Sequence, residues 1–201
     1  MRSRRLLVPA LALLLAVPAV SFTATKKSFN FFLGQKTIHD LEDTDLDKQI
    51  DVGVEMSFGQ EKWPVMIAVD VLTSWEDDES TQFGFGYAYT FNSDSLNIEL
   101  DGGIRKTWEP AKYRVRPYVG GGLGIIRSEL SASVRGNVLS ASANEDDIGY
   151  GPWAGGGIYW KLSQKLNLGF DARYSKMDVD IGSENLNMGG FHVGALFGWG
   201  F

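Results

Sequence analysis

Apolar and polar residues alternate with a period of two along most of the chain after residue 28. The apolar residues occupy mostly every second position in the segments 50–58, 65–71, 96–100, 115–125, 154–160, 166–174 and 191–201. The positions between them carry mainly charged residues, Asn, Ser and Gly. Because successive side chains of a β-strand point to opposite faces, this pattern predicts an all-β chain whose strands each have one apolar face.

The alternation and the turn signals together predict eight antiparallel strands in an up-and-down barrel. We place them near 28–36, 48–58, 64–74, 95–107, 114–127, 151–161, 166–176 and 188–201. A ninth strand-like segment, 83–91, is rich in aromatic residues and is either an arm of a long loop or part of a neighbouring strand. A barrel whose ends lie on the same side needs an even number of strands, so ten strands is the alternative.

Two further features favour a barrel that crosses a lipid bilayer over a soluble sandwich with an apolar interior. Tryptophans stand beside short connections or near the chain end, at Trp63, Trp108, Trp160 and Trp199. Short connections at 59–62, 109–113 and 162–165 alternate with long ones at 36–47, 128–149 and 177–188. Aromatic girdles and this alternation of loop lengths are typical of transmembrane barrels, whose apolar face points outward to the lipid.

Composition agrees with a strand-rich chain and excludes several kinds of site. The 201 residues include 24 Gly, 12 Phe, 7 Tyr and 6 Trp, which favour pleated strands and tight turns. The formal net charge of −6 argues against a nucleic-acid partner bound through a basic surface. With no Cys and only two histidines, His39 and His192, the chain offers neither a disulfide nor a Cys- or poly-His-ligated metal site.

The amino terminus has the three parts of a secretory signal peptide. Three arginines within the first five residues precede an apolar run at 6–17, and proline and small residues follow. The run is too short to span a bilayer as a helix. We therefore expect residues 1–21 to be a cleaved signal peptide, with cleavage as late as residue 24 as the alternative, and residues 22–201 to form the exported barrel domain.

Motifs in the carboxyl-terminal half resemble those of a known family. Residues 116–124, RPYVGGGLG, are similar to the Pro-Tyr-Val-Gly-x-Gly-x-Gly strand of the small bacterial outer-membrane β-barrel family, and 155–174 resemble its next hairpin. The alternate aromatics Phe197, Trp199 and Phe201 resemble the terminal signal of such barrels, although Leu196 stands where that signal has Gly. The resemblance implies location in a Gram-negative-type outer membrane and recognition by the barrel-assembly machinery.

Acidic residues cluster in the predicted long loops, at 40–47, 76–79 and 145–147. Asp43, Asp45 and Asp47 have the spacing of a calcium-binding loop. However, Lys48 replaces the required Gly and Val54 the Glu expected at the twelfth position. We therefore predict no metal site and interpret these segments as solvated external loops that divalent ions can bridge to lipopolysaccharide.

The glycine runs 120–124 and 155–157 raise the question of a phosphate-binding loop. Neither run fits G-x-G-x-x-G or is followed by GK[ST], and both lie within predicted strands. We expect them instead to let the strands curve and to leave room for interior side chains.

Charged residues also occur on the predicted lumen face. They are Asp70, Glu99, Asp101, Arg105, Arg114, Arg116, Asp171 and Arg173. An eight-stranded barrel has an interior just wide enough for side chains, so we expect these charges to pair and close the lumen in preference to forming a selectivity filter.

Only His192 could serve a catalytic dyad of the kind used by barrels that modify lipid A. Alternation places it on the lumen face, no His-x-Ser spacing exists, and His39 has no Ser within ten residues on either side. We therefore predict no catalytic, cofactor-binding or metal-binding residues and no cofactor.

The sequence thus predicts a monomeric integral outer-membrane protein with a structural or interaction role through acidic external loops and a closed lumen. A narrow pore or solute channel is the first alternative, and a lipid A-modifying enzyme is the second. The expected partners are outer-membrane lipid, lipopolysaccharide and the barrel-assembly machinery, which would recognise the strand ending at Phe201, and no nucleic acid is expected.

Overall fold

The structure is a computed structural model that describes residues 26–41, 46–84, 87–110, 114–136, 140–163, 165–181 and 184–200. The expected signal peptide at 1–21 and the terminal Phe201 lie outside these residues, so both stay predictions. The described part of the chain contains no helix that is long and apolar enough to cross a membrane.

Ten β-strands and one short 3₁₀ helix, His39–Leu41, form the described structure. The strands are β1 Lys26–Thr37, β2 Lys48–Gly59, β3 Met66–Gly84, β4 Tyr87–Thr107, β5 Val115–Gly136, β6 Ser140–Lys161, β7 Leu166–Ser175, β8 Asp178–Ile181, β9 Glu184–Asn187 and β10 Gly190–Gly200.

Eight of these strands close into an antiparallel barrel, as the alternation predicted. Strands β1 to β6 each pair with the next along the chain, and β10 pairs with both β7 and β1. The last pairing sets Phe31 opposite Phe197 and so closes the sheet on itself. A bilayer requires such closure, because it offers no water to the backbone groups of an open strand edge.

The alternative of ten barrel strands is wrong, because β8 and β9 form a separate hairpin. They pair with each other, and the hairpin joins the barrel sheet through a single pairing between Tyr150 and Asp178.

The two faces of the barrel strands carry the predicted side chains. In β7, Phe170 and Tyr174 are each 47% exposed, whereas Asp171 and Arg173 are 1% exposed. The same division holds along most of the other barrel strands, although Val54 of the predicted apolar face is buried and the lumen face also carries Leu72 and Leu196. An outer apolar belt around a polar interior is the arrangement of a membrane barrel and the inverse of a soluble sandwich.

The tryptophans predicted to form a girdle lie at the end of the barrel with short turns. Trp63 lies in the turn between β2 and β3, where its N–H donates to the carbonyl of Gln60 at 3.0 Å. Trp108 directly follows β4, and Trp160 and Trp199 are the second-to-last residues of β6 and β10. This end corresponds to the periplasmic side of a bacterial barrel.

Two of the predicted long loops are instead continuations of strands. The segments 75–95 and 128–149 belong almost entirely to the hairpins β3–β4 and β5–β6, whose strands are 19 to 22 residues long. The aromatic segment 83–91 contributes to the end of the β3–β4 hairpin, apart from residues 85 and 86, which lie outside the described residues. The sequence obscured these extensions because a sheet with water on both faces needs no apolar alternation.

The four strands β3 to β6 therefore continue as a sheet beyond the barrel wall. Strand β2 pairs with β3 only as far as Trp75, and β7 pairs with β6 only as far as Trp153. We call the part beyond these points the projecting sheet, formed by 76–84, 87–95, 128–136 and 140–147. At about 3.4 Å per residue, its strands extend roughly 25–30 Å from the barrel.

The boundary between barrel and projecting sheet gives a test of where the lipid ends. Single Cys variants at Leu168 and Phe170, labelled with a fluorophore and reconstituted in vesicles, are expected to be quenched by spin-labelled lipid. Labels at Ser142 and Glu145 of the projecting sheet should escape these quenchers and respond to iodide in solution. Equal lipid quenching at all four positions would contradict this boundary.

Candidate functional site

The interior of the barrel is filled by buried charged side chains. Of the eight residues predicted to line the lumen, six are 1% exposed or less: Asp70, Glu99, Asp101, Arg105, Asp171 and Arg173. The prediction does not hold for Arg114, which lies before β5 and is exposed. Arg116 faces the mouth of the barrel, where its side chain is 27% exposed and pairs with Glu109.

Arg173 is the centre of the buried network. Its Nε donates to Asp171 Oδ1 at 3.0 Å, and its Nη1 donates to Asp70 Oδ2 at 3.0 Å and lies 3.4 Å from Asp101 Oδ2. Its Nη2 donates to Glu55. One guanidinium thus connects carboxylates from four different strands, which the fork geometry of Arg permits.

Arg105 extends the same network toward the periplasmic end. Its Nη2 donates to Asp70 Oδ2 at 2.8 Å, and its Nη1 donates to Ser57 Oγ at 3.1 Å and lies 3.3 Å from Glu55 Oε2. Its guanidinium carbon is 5.2 Å from the ring centre of Tyr118. These contacts add further paired charge to the barrel interior.

Aromatic rings complete this layer, and the glycine runs make room for them. Tyr118 stacks on Tyr159 with ring centres 4.4 Å apart, and its hydroxyl donates to Asp171. A Cβ at Gly157 would come within 2.7 Å of the Tyr118 hydroxyl, and one at Gly120 within 3.3 Å of the Trp153 ring. The glycines lie within strands and admit interior side chains, as predicted.

His192 lies on the lumen face, as alternation predicted, in a second charged group nearer the external end. Its Nδ1 is 2.6 Å from Asp51 Oδ2, and its Nε2 is 3.5 Å from Glu99 Oε2. Lys36 Nζ donates to the same Glu99 oxygen at 3.2 Å. The ring is fully buried between carboxylates, so it offers no access to a lipid substrate.

Three members of the network were missing from the predicted lumen charges: Lys36, Asp51 and Glu55. Asp51 and Glu55 stand on the polar positions of the segment 50–58, so the alternation could have identified them. The lumen position of Lys36 could not be predicted in this way, because the apolar residue Phe32 also faces the lumen and breaks the alternation in β1.

Neutral polar side chains lie above the charges, toward the external end. Gln49 Nε2 donates to Ser95 Oγ at 2.9 Å, and its Oε1 accepts from Ser74 Oγ at 2.8 Å and from Asn97 Nδ2 at 2.7 Å. These hydrogen bonds connect strands β2, β3 and β4 across the lumen.

An apolar cluster, which we call the apolar cap, lies at the external mouth. Its buried members are Ile38, Leu41, Ile126, Met177, Val179 and Met188. Asp40 of the 3₁₀ helix holds the β9 hairpin strand over it, because its Oδ2 accepts from the Asn187 N–H at 2.7 Å. The chain then enters β10 through Gly190, which has a φ of +128° that favours glycine.

The structure offers no metal site among the described residues, where no three His, Asp or Glu side chains converge as ligands. Asp43 and Asp45 of the calcium-like spacing lie outside them. The absence of metal-binding, cofactor-binding and catalytic residues stays a prediction.

Several solved outer-membrane proteins match this chain over most of its length at low sequence identity. Ail of Yersinia pestis, solved with the heparin analogue sucrose octasulfate, is 14% identical, with a TM-score of 0.48 over 88% of this chain and 98% of that chain. A major outer membrane protein from Thermus thermophilus is 10% identical, with a TM-score of 0.46 over 90% and 99%. Neisserial surface protein A is 13% identical, with a TM-score of 0.41 over 87% and 94%.

No curated protein sequence matches the chain. The family described as Outer membrane protein beta-barrel domain, however, matches residues 9–201. This match covers all eight barrel strands and the motifs at 116–124 and 155–174. The chain therefore belongs to the outer membrane protein β-barrel domain family and is a protein of the bacterial outer membrane.

Proposed function

We propose that this protein is a surface-binding protein of the outer membrane, whose projecting sheet binds cationic partners and whose lumen is closed to solutes. The observation that carries the proposal is a sheet that extends beyond the barrel wall, with edges that no described strand pairs and with an excess of acidic side chains.

The edges of the projecting sheet support a role in binding extended segments. On β3, residues 76–84 pair with β4 on one side, and no described strand pairs with their other side. On β6, the described residues 140–147 pair only with β5. Such an edge presents backbone donors and acceptors to which a further strand can add.

The charge of the projecting sheet supports a cationic partner. Asp77 lies directly opposite Asp94 in the β3–β4 register, so two like charges face each other. Partial burial, together with the neighbouring Asp77, raises the pKa of both Glu76 and Asp94. Because repulsion among these carboxylates disfavours their charged forms, a bound cation would relieve it.

Acidic residues continue along β5 and β6. Arg127 pairs with Glu129 at 2.9 Å and with Asp146 at 3.2 Å, which leaves Glu145 and Asp147 of this hairpin as additional negative charge. Positive segments of a partner would therefore meet a favourable potential along both hairpins.

The expected test result is salt-sensitive binding of a cationic extended peptide by the protein in nanodiscs. An immobilised peptide of alternating Lys and Thr serves as the probe. The double variant D77K/D94K should lose at least about tenfold in affinity, because it reverses the charge while keeping a like-charged pair.

The matched control is E61K/E109K, which changes the net charge by the same amount at the periplasmic end. Equal losses in the two double variants, or no binding by the wild type, would contradict the proposed function.

Conductance distinguishes the proposal from the channel alternative. The packed ionic network and the apolar cap support a lumen without a continuous water path, so purified protein in planar bilayers should give no steady ion current. A reproducible single-channel current would favour the pore, and altered lipid A mass on overexpression would favour the enzyme.

A further inference from the structure

The periplasmic mouth of the barrel contains a cavity that the proposed function does not use. Its volume is about 320 Å³, and it lies among the ends of the barrel strands and the short turns. Its inner wall includes Tyr159, which stacks on Tyr118, which in turn lies under Arg105. This layer separates the cavity from the carboxylate-rich network, so the cavity is a binding pocket rather than the start of a channel.

Cationic side chains predominate around the cavity. Lys26, Lys27, Arg116 and Lys161 line it, against the two carboxylates Glu61 and Glu109.

The ion pairs at the mouth leave positive charge available. Glu109 serves two cations at once, with its Oε1 3.6 Å from Lys26 Nζ and its Oε2 3.3 Å from Arg116 Nη2. Lys161 has no ion pair with any residue that the structure describes. An anion that enters the cavity therefore meets four cations against two carboxylates, and one of these carboxylates is shared between two of the cations.

Neutral hydrogen-bond donors lie in the same cavity. Thr107 lines it, and its Oγ1 is inaccessible to water yet has no hydrogen-bond partner among the described residues. The Tyr159 hydroxyl accepts from Asn30 Nδ2 at 3.4 Å, which leaves its own proton to donate. The Tyr159 hydroxyl can therefore offer a bound anion a neutral donor beside the cations.

We propose that this cavity binds a phosphate group presented from the periplasmic side. A phosphate monoester carries nearly two negative charges and three strong acceptor oxygens, which match an arginine fork, two or more lysines and hydroxyl donors. The volume admits the phosphate of a small molecule, and the mouth lies at the level of the headgroups of the inner leaflet. The phosphate can therefore come from a free monoester or from a phospholipid headgroup.

Calorimetric titration of the folded protein in non-ionic detergent with glycerol 3-phosphate, against sodium chloride of equal ionic strength, tests the site. We expect saturable binding that R116Q/K161Q weakens at least about tenfold, through the loss of two charge-assisted contacts. The matched control is K62Q/K165Q, which removes two lysines at the same end of the barrel that do not line the cavity. It should change the affinity less than twofold.

Folding of each variant is checked by the different gel migration of boiled and unboiled samples. If R116Q/K161Q does not fold, K161Q alone replaces it, since Lys161 has no described ion pair to lose. No saturable binding by the wild type, or equal losses in the cavity and control variants, would overturn the proposal.

Nanodiscs separate the two sources of phosphate. If a headgroup occupies the cavity, discs that contain phosphatidic acid, whose phosphate is a monoester, should weaken glycerol 3-phosphate binding relative to discs of phosphatidylcholine, whose phosphate is a diester. Unchanged affinity would assign the cavity to a free phosphate monoester.

Discussion

Phe170→Arg is expected to destabilise the folded barrel in a lipid bilayer by about 2–4 kcal/mol, the cost of an arginine near the bilayer midplane. Phe170 lies in the middle of β7, is 47% exposed and pairs with Ala195 and Ile158 of the neighbouring strands. Reversible urea unfolding in vesicles, followed by tryptophan fluorescence, measures the change in the free energy of unfolding.

Phe170→Leu is the control, because a smaller apolar side chain at the same lipid-facing position keeps the transfer energy favourable. A loss of stability in Phe170→Arg no larger than in this control would contradict the lipid-facing assignment. A substitution of the adjacent lumen-facing Gly169 would not serve as a control. A Cβ there would lie 2.7 Å from the carbonyl oxygen of Ile158 and would destabilise the barrel for a separate reason.

Arg173→Gln is expected to cost about 3–5 kcal/mol in the same unfolding experiment, because it leaves buried carboxylates without their shared cation. Glu55, Asp70, Asp101 and Asp171 all contact this guanidinium, and each is 1% exposed or less.

Arg127→Gln provides the matched control for this substitution. Arg127 also contacts two carboxylates, but its side chain is 54% exposed, so solvent screens the pairs and the cost should stay below about 1 kcal/mol. Equal effects of the two substitutions would contradict the burial of the Arg173 network, because burial is what distinguishes it from the Arg127 pairs.

The two ends of this barrel differ in charge. The proposed cationic partner of the projecting sheet and the proposed phosphate in the periplasmic cavity each have the charge opposite to that of their binding surface. Acidic side chains predominate on the projecting sheet, whereas lysines and arginines surround the periplasmic cavity. A cationic partner outside and a phosphate inside would each be favoured by the charge at its own end. The buried ionic network lies between the two surfaces, so the variants of one should leave the binding of the other unchanged.

The sequence by itself determined where the barrel strands lie and the direction of their faces, but it left ten strands as an alternative to eight. Alternation is local, since each residue points opposite to its neighbour whatever the rest of the chain does. For this reason Asp171 and His192 could be placed in the lumen, and Phe170 and Phe197 on the lipid face, before any contact was known. The positions of the girdle tryptophans could also be predicted from local sequence, because these residues lie beside short connections or near the chain end.

Only the tertiary structure decided which lumen residues meet. Glu55 and Arg173 are 118 residues apart and Lys36 and Glu99 are 63 apart, and their contacts depend on strand register around the closed barrel. The length of the projecting sheet also became clear only from the tertiary structure. Strands with water on both faces are held by hydrogen bonds to their neighbours, and their sequences need no alternation of apolar and polar residues. The periplasmic cavity likewise exists only where separate strand ends bring Arg116, Lys161 and Thr107 around one opening, which no local pattern specifies.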